Sequence, residues 1–254
     1  MIDRADAHTA MPPLTGKRAI ITGGTTGIGR AIAVLLASEG VKVFICGRDP
    51  AHLDDALARI REVGDGDGLA IDLADADAIP KLFDSATDYL GGLDIAVINA
   101  AIAAEGLSEM SEADLRYAIA TNFTAYLMSA HAAVERLDRS NEKAADIVLI
   151  GSMSAHVLGA SSTVYAGIKY GIQGFAEAFR REMGVKNVRV SLVEPGLTGS
   201  DMQTDPPEKQ REKIAKEESL RAEDIAVGVH YILTQPNRAV VQQLTISPRM
   251  QEDE

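Results

Sequence analysis

The chain has no tryptophan and a single cysteine among its 254 residues. One cysteine, Cys46, leaves nothing to pair with inside the chain, which excludes a disulfide framework and points to a reducing compartment, the cytoplasm. It sits in the run Val43-Phe44-Ile45-Cys46 and reads as a small buried hydrophobe. Long hydrophobic runs are missing too. None approaches the ~20 residues a bilayer span requires, so no membrane partner is expected. Positive charge is scarce: 25 Lys and Arg against 37 Asp and Glu leave a net charge of -12, which argues against nucleic-acid and acidic-membrane partners. The five histidines show no ligand spacing and no cysteine cluster accompanies them, so no metal is expected. Residues 1–15 contain no signal-like apolar core and read as a flexible arm; residues 249–254 read as an acidic tail.

What is present is an alternation of short apolar runs with longer helical patterns. Strands are expected over 18–22, 42–46, 69–72, 95–99, 146–151 and 189–194, with the more polar 240–246 as an edge strand. Ala19-Ile20-Ile21 and Ile147-Val148-Leu149-Ile150 are continuously apolar, as parallel strands covered on both faces should be. Helices are expected over 28–38, 50–63, 79–90, 111–137, 163–183 and 222–233, the second capped by Asp49 with Pro50 at its first position. Repeated β-α-β units predict a single α/β domain over 16–248, a Rossmann-like doubly wound parallel sheet with helices on both faces. The stretch 198–218 breaks the rhythm and predicts an inserted substrate loop with a short helix.

Thr22-Gly23-Gly24-Thr25-Thr26-Gly27-Ile28-Gly29 follows the first strand and opens the first helix. Glycines there let the backbone approach a pyrophosphate, and the helix N-terminus offers free N–H groups. Gly23, Thr25, Thr26, Gly27 and Ile28 are the candidate contacts. The second strand ends in Gly47-Arg48, where an acid would bind the ribose hydroxyl of NAD and an arginine accommodates a 2′-phosphate. The charge favours NADP(H) over NAD(H); alternatively, Arg48 merely pairs with Asp49 or Asp72. Asp72 and Leu73 fit the adenine edge. Asn99, followed by Ala100 and Ala101, fits the adenosine ribose, because the ligand crosses the carboxyl ends of the strands.

Tyr165 and Lys169 stand one helical turn apart on one face. A lysine beside a phenol is expected to lower its pKa and make it a usable proton donor. In isolation such a spacing is more often a surface pair of little consequence. Here it follows Gly151-Ser152 and precedes Pro195-Gly196-Leu197.

The T-G-x-x-x-G-x-G turn, Asp72, Leu93-Asp94-Ile95, Asn122, Ser152, Tyr165, Lys169 and Pro195-Gly196 together resemble the short-chain dehydrogenase/reductase family, over about residues 16–245. The resemblance implies about seven parallel strands in the order 3-2-1-4-5-6-7. It also implies a nicotinamide cofactor and interconversion of a small-molecule ketone or aldehyde with an alcohol or hydroxy acid. A homodimer or homotetramer built on helices 111–137 and 163–183 is implied as well. Tyr165 would be the general acid and base, Ser152 would orient the substrate oxygen, and Lys169 would hold the ribose. Asn122 would hold a water leading from Lys169 to solvent, unless it simply bonds locally in its helix. Pro195, Gly196, Thr198 and Ser200 would flank the nicotinamide, Ser200 standing where the family usually has threonine. Asn99-Ala100-Ala101-Ile102 departs from the family's usual Asn-Asn-Ala-Gly, so altered bracing of the sheet is expected there, with Ile102 crowding the backbone. The ending Leu244-Thr245-Ile246-Ser247-Pro248 is more weakly similar to a subgroup of NADP-dependent 3-hydroxy acid and serine dehydrogenases. Two alternatives stay open: a 3-oxoacyl-carrier-protein reductase-like enzyme, and a non-catalytic NADP(H)-binding sensor or scaffold.

Overall fold

In β1 (Arg18–Ile21) successive side chains leave the backbone on opposite sides, so Ile20 enters one hydrophobic layer and Ile21 the other. The same division recurs in β2 (Lys42–Gly47), where Phe44 and Cys46 face one layer and Val43 and Ile45 the other. A strand between two helical layers needs apolar residues at every position, which explains the continuous runs. The computed structural model describes residues 11–138, 144–156 and 162–250. Residues 1–10 of the arm, 139–143, 157–161 and the tail from 251 lie outside the described residues.

The remaining strands are β3 (Gly66–Ala70), β4 (Ile95–Ile98), β5 (Ala145–Ile150), β6 (Val188–Pro195) and β7 (Gln243–Ile246). All seven pair in parallel in the order β3-β2-β1-β4-β5-β6-β7, with the more polar β7 at the edge as expected. The helices are α1 (Gly27–Ser38), α2 (Pro50–Arg61), α3 (Ala78–Leu90), α4 (Glu112–Ile119), α5 (Ala125–Arg136), α6 (Thr163–Gly184), α7 (Pro207–Ala215) and α8 (Ala222–Leu233). α1, α2 and α8 cover one face of the sheet through Ile32, Leu53 and Ile225; α3, α5 and α6 cover the other through Leu82, Tyr126 and Ile172. Asp49 caps α2 by accepting from the N–H groups of Ala51 and His52. The helix expected inside 198–218 is α7.

Two elements differ from the expectation. The third strand begins at Gly66, three residues early, and ends at Ala70, before Asp72. Gly66 and Gly68 suggest a turn in sequence, but they are glycine because the sheet and α2 press on them. A Cβ on Gly66 would lie 2.6 Å from Ile60, and one on Gly68 would lie 2.7 Å from the carbonyl oxygen of Ile45. The helix expected over 111–137 is interrupted by a π-helical turn at Ala120–Thr124, between α4 and α5. Such turns gather at functional sites, and this one carries Asn122.

Candidate active site

The glycine-rich turn is shaped by contacts that leave no room for side chains. Gly23 and Gly27 have φ of 63° and 49°, the left-handed region that glycine enters freely. A Cβ on Gly29 would lie 2.1 Å from the carbonyl oxygen of Gly23. Thr26, the N-cap of α1, makes no side-chain bond to the helix, and the first turn carries no acid. The amides and dipole at this helix end therefore suit a pyrophosphate. Ser200 folds over the same turn: a Cβ on Gly27 would lie 3.3 Å from the Cβ of Ser200. Thr198, by contrast, is buried and donates to the carbonyl of Gly196.

The segment after β4 is braced by other means than the family's second asparagine. Thr22 accepts from the N–H groups of Asn99 and Ala100 at 2.9 and 3.2 Å. The Asn99 amide donates to the carbonyls of Thr22 and Gly23, so its donors are spent on the turn rather than turned toward a ribose. Asn122, fully buried, closes a two-way bond with the backbone of Ile102: Oδ1 accepts from its N–H at 2.7 Å and Nδ2 donates to its carbonyl at 2.8 Å. That bond reaches across 20 residues, so Asn122 does not simply bond locally in its helix. Ile102 takes the usual glycine position without a left-handed φ and leaves the backbone unstrained.

At the carboxyl end of β2, Arg48 is exposed and pairs directly with neither Asp49 nor Asp72. It donates to the hydroxyl of Tyr117 at 2.6 Å, and that hydroxyl donates to Asp72 at 2.6 Å. Gly47 packs against Thr25, whose Oγ1 lies 2.3 Å from where a Cβ on Gly47 would be. Leu73 is buried in the hydrophobic layer.

Ser152 follows β5 and caps a short 3-10 turn, Met153–Ala155, accepting from the N–H of Ser154 at 3.1 Å. Its hydroxyl donates to that of Ser154 at 3.1 Å and lies near enough to the Tyr165 phenol, which projects from the first turn of α6, to favour the phenolate. One turn on, Lys169 is buried, donates to the carbonyl of Ile150 at 3.0 Å, and lies 5.5 Å from the centre of the Tyr165 ring. Tyr126 donates to the same carbonyl at 2.7 Å, and its ring lies 5.2 Å from the Lys169 ammonium. Ser152, Tyr165 and Lys169 thus meet at the carboxyl end of β5.

The electrostatics correct one expectation. Burial pushes the Tyr165 phenol up to about 12, with only the nearby Ser152 hydroxyl pulling it back. Burial likewise pushes Lys169 down to about 7. Lysine does not acidify the tyrosine here, because both groups are desolvated and the ammonium is bonded to Ile150.

Tyr117 and Tyr126 had no signal in the sequence beyond standing five residues before and four after Asn122. A further cluster was also missed. Glu194 is fully buried at the end of β6 and accepts from Gln243, while His156 contacts it at 2.9 Å. Its Oε1 has no partner among the described residues. His156 is therefore anchored to Glu194 at the end of the Ser152 turn.

This fold and site define a Rossmann-like nucleotide-binding protein. Residues 17–211 match the profile of the short chain dehydrogenase family. An uncharacterized oxidoreductase of Staphylococcus aureus is 28% identical over 243 residues, covering 94% of this chain and 100% of that protein. A dehydrogenase/reductase from Sinorhizobium meliloti superposes with a TM-score of 0.82 at 32% identity, over 93% of this chain and 96% of that one. A short chain dehydrogenase from Burkholderia cenocepacia in complex with NADP gives 0.82 at 30% identity, over 93% and 98%. The chain belongs to the short chain dehydrogenase family and is an oxidoreductase. Among the described residues, no helix is long and apolar enough to cross a membrane.

Proposed function

We propose that this oxidoreductase uses NADP(H) to interconvert a ketone or aldehyde with a secondary alcohol or hydroxy acid. The observation that carries the reading is the meeting of Ser152, Tyr165 and Lys169 at the carboxyl end of β5, with Lys169 buried 5.5 Å from the centre of the Tyr165 ring. The bound nicotinamide supplies the hydride in reduction and accepts it in oxidation. Tyr165 gives its proton to the carbonyl oxygen in the first direction and recovers it in the second. Ser152 donates to that oxygen and fixes its position. Lys169, brought down to about 7, exchanges a proton near neutral pH and holds the ribose hydroxyls. Asn122 acts through Ile102, fixing the segment that follows β4.

For the cofactor, the uncapped start of α1 and the turn from Gly23 to Ile28 hold the pyrophosphate. Arg48 takes the 2′-phosphate, and Asp72, Leu73 and the backbone of Asn99, Ala100 and Ala101 line the adenosine side. Pro195, Gly196, Thr198 and Ser200 line the nicotinamide side. The NADP bound to the Burkholderia relative supports this choice over NAD(H).

The altered Asn99-Ala100-Ala101-Ile102 segment would favour a sensor or scaffold, but its bracing by Thr22 and Asn122 and the presence of Ser152, Tyr165 and Lys169 support the enzyme reading instead. The carrier-protein reading calls for a basic docking patch, for which Arg136, Arg180 and Arg181 are thin support on a chain of net charge -12, Arg136 pairing with Asp84 and Arg181 with Glu177; Arg139 lies outside the described residues. An apolar groove of about 440 Å³ runs along α4 and α6, lined by Leu107, Ile119, Phe123, Val164 and Ile168. Those are the helices on which the resemblance places the subunit interface, so a second copy of the chain is its occupant in a cytoplasmic homo-oligomer. The test is NADPH and NADH consumption across a panel of ketones and keto acids. Oxidation of NADPH by one class of carbonyl supports the reading; binding of NADPH with no consumption of it overturns the catalytic part.

A further inference from the structure

Arg48, Tyr117 and Asp72 come from three separate parts of the chain and form a relay whose direction is fixed by chemistry. A guanidinium has only donors and a carboxylate only acceptors, so the Tyr117 hydroxyl accepts from Arg48 and gives its proton to Asp72. Burial and the Asp72 carboxylate push that phenol above its ordinary value against the pull of Arg48, so it stays a neutral hydroxyl. Asp72 spends its other oxygen on the N–H of Ala74 at 3.0 Å. The exposed guanidinium makes this one hydrogen bond among the described residues, which leaves further donors for a ligand. No carboxylate fits at position 47, where Thr25 fills the space beside Gly47.

We propose that Tyr117 is a positioning residue for a phosphomonoester on the adenosine ribose: it keeps Arg48 out of a direct ion pair with Asp72. This inference rests on the NADP(H) reading above. Without the hydroxyl, the guanidinium fork and the carboxylate are each other's nearest partners, and a bidentate pair forms between them. A phosphate must then break that pair before it gains its own. With the neutral phenol between them, Arg48 is oriented yet retains its charge for the ligand. Tyr117 thereby raises the preference for the phosphorylated cofactor without touching the reacting atoms.

The experiment is calorimetric titration of the full chain with 2′,5′-ADP and 5′-AMP as probes, and with NADPH and NADH. The proteins are wild type, Tyr117→Phe, Asp72→Asn, the double variant and Arg48→Ala. Tyr117→Phe is expected to weaken 2′,5′-ADP and NADPH about tenfold, the scale of one charge-assisted hydrogen bond, while 5′-AMP and NADH change less than about twofold. The double variant is expected to bind 2′,5′-ADP as Asp72→Asn does alone, because the competing carboxylate is gone. An equal loss on all four ligands, or no loss on 2′,5′-ADP, overturns the role of Tyr117. Arg48→Ala separates the two levels. If it leaves 2′,5′-ADP binding intact, the NADP(H) reading fails and takes this inference with it; if it weakens 2′,5′-ADP while Tyr117→Phe does not, only the inference fails.

Discussion

Lys169 hangs from the carbonyl of Ile150 at 3.0 Å, and that bond, made at the end of β5, places its ammonium beneath the site. The side chain is buried and its pKa falls from 10.5 to about 7. Below about pH 7 folded and unfolded chains both carry this proton. Between about 7 and 10.5 only the unfolded chain does, so stability from this group rises with pH across that window. Wild type should gain ~1.5 kcal/mol more than Lys169→Met between pH 7 and 8.5 in urea unfolding. Parallel curves would show that Lys169 is not desolvated.

Tyr165 has the opposite sign. Its folded value, about 12, exceeds the ordinary 10, so its contribution is present below pH 10 and is lost as pH rises toward 12. Because the chain has no tryptophan, tyrosinate absorbance can be followed directly. The difference between wild type and Tyr165→Phe, without cofactor, should show this phenol ionising only above pH 11. Ionisation below pH 10 would restore the idea that Lys169 acidifies it.

Asn122 carries two bonds to Ile102 in a fully buried setting. Asn122→Ala strands both backbone groups and should cost ~2–4 kcal/mol, with a fall in melting temperature of several degrees. A melting temperature within a degree of wild type would mean that Ile102 finds other partners.

Gly47 bears on attempts to change the cofactor. Gly47→Asp alone puts its Cβ into Thr25, so binding of both NADPH and NADH should weaken and the protein should lose ~1–3 kcal/mol of stability. Adding Thr25→Gly should restore stability and favour NADH. Tighter NADH binding by Gly47→Asp alone, at unchanged melting temperature, would contradict the packing argument.

Much of this protein could be read in its sequence. Two-sided burial of the strands wrote itself as runs such as Ile147-Val148-Leu149-Ile150, and the turn from Thr22 to Gly29 stood between a strand and a helix. The spacing of Tyr165 and Lys169 named the pair. What stayed hidden depends on contacts between distant segments. Gly66 and Gly68 resemble a turn until Ile60 and Ile45 are placed against them. The π turn adds too little to the periodicity of 111–137 to be seen. Tyr117, Tyr126 and Glu194 are identified only by partners 45, 24 and 38 residues away. The direction of the Tyr165 shift was misread because proximity is visible in sequence and desolvation is not.

On the function proposed above, Tyr165 transfers the proton in a reaction driven by NADPH. The most direct measurement is turnover of Tyr165→Phe beside wild type on whichever carbonyl compound wild type reduces, with NADPH affinity measured on both. With Tyr165 as the proton donor, NADPH binding should be unchanged and kcat should fall by ~10²–10⁴, the range of general acid–base catalysis. A variant that binds NADPH and turns over at the wild-type rate would contradict it.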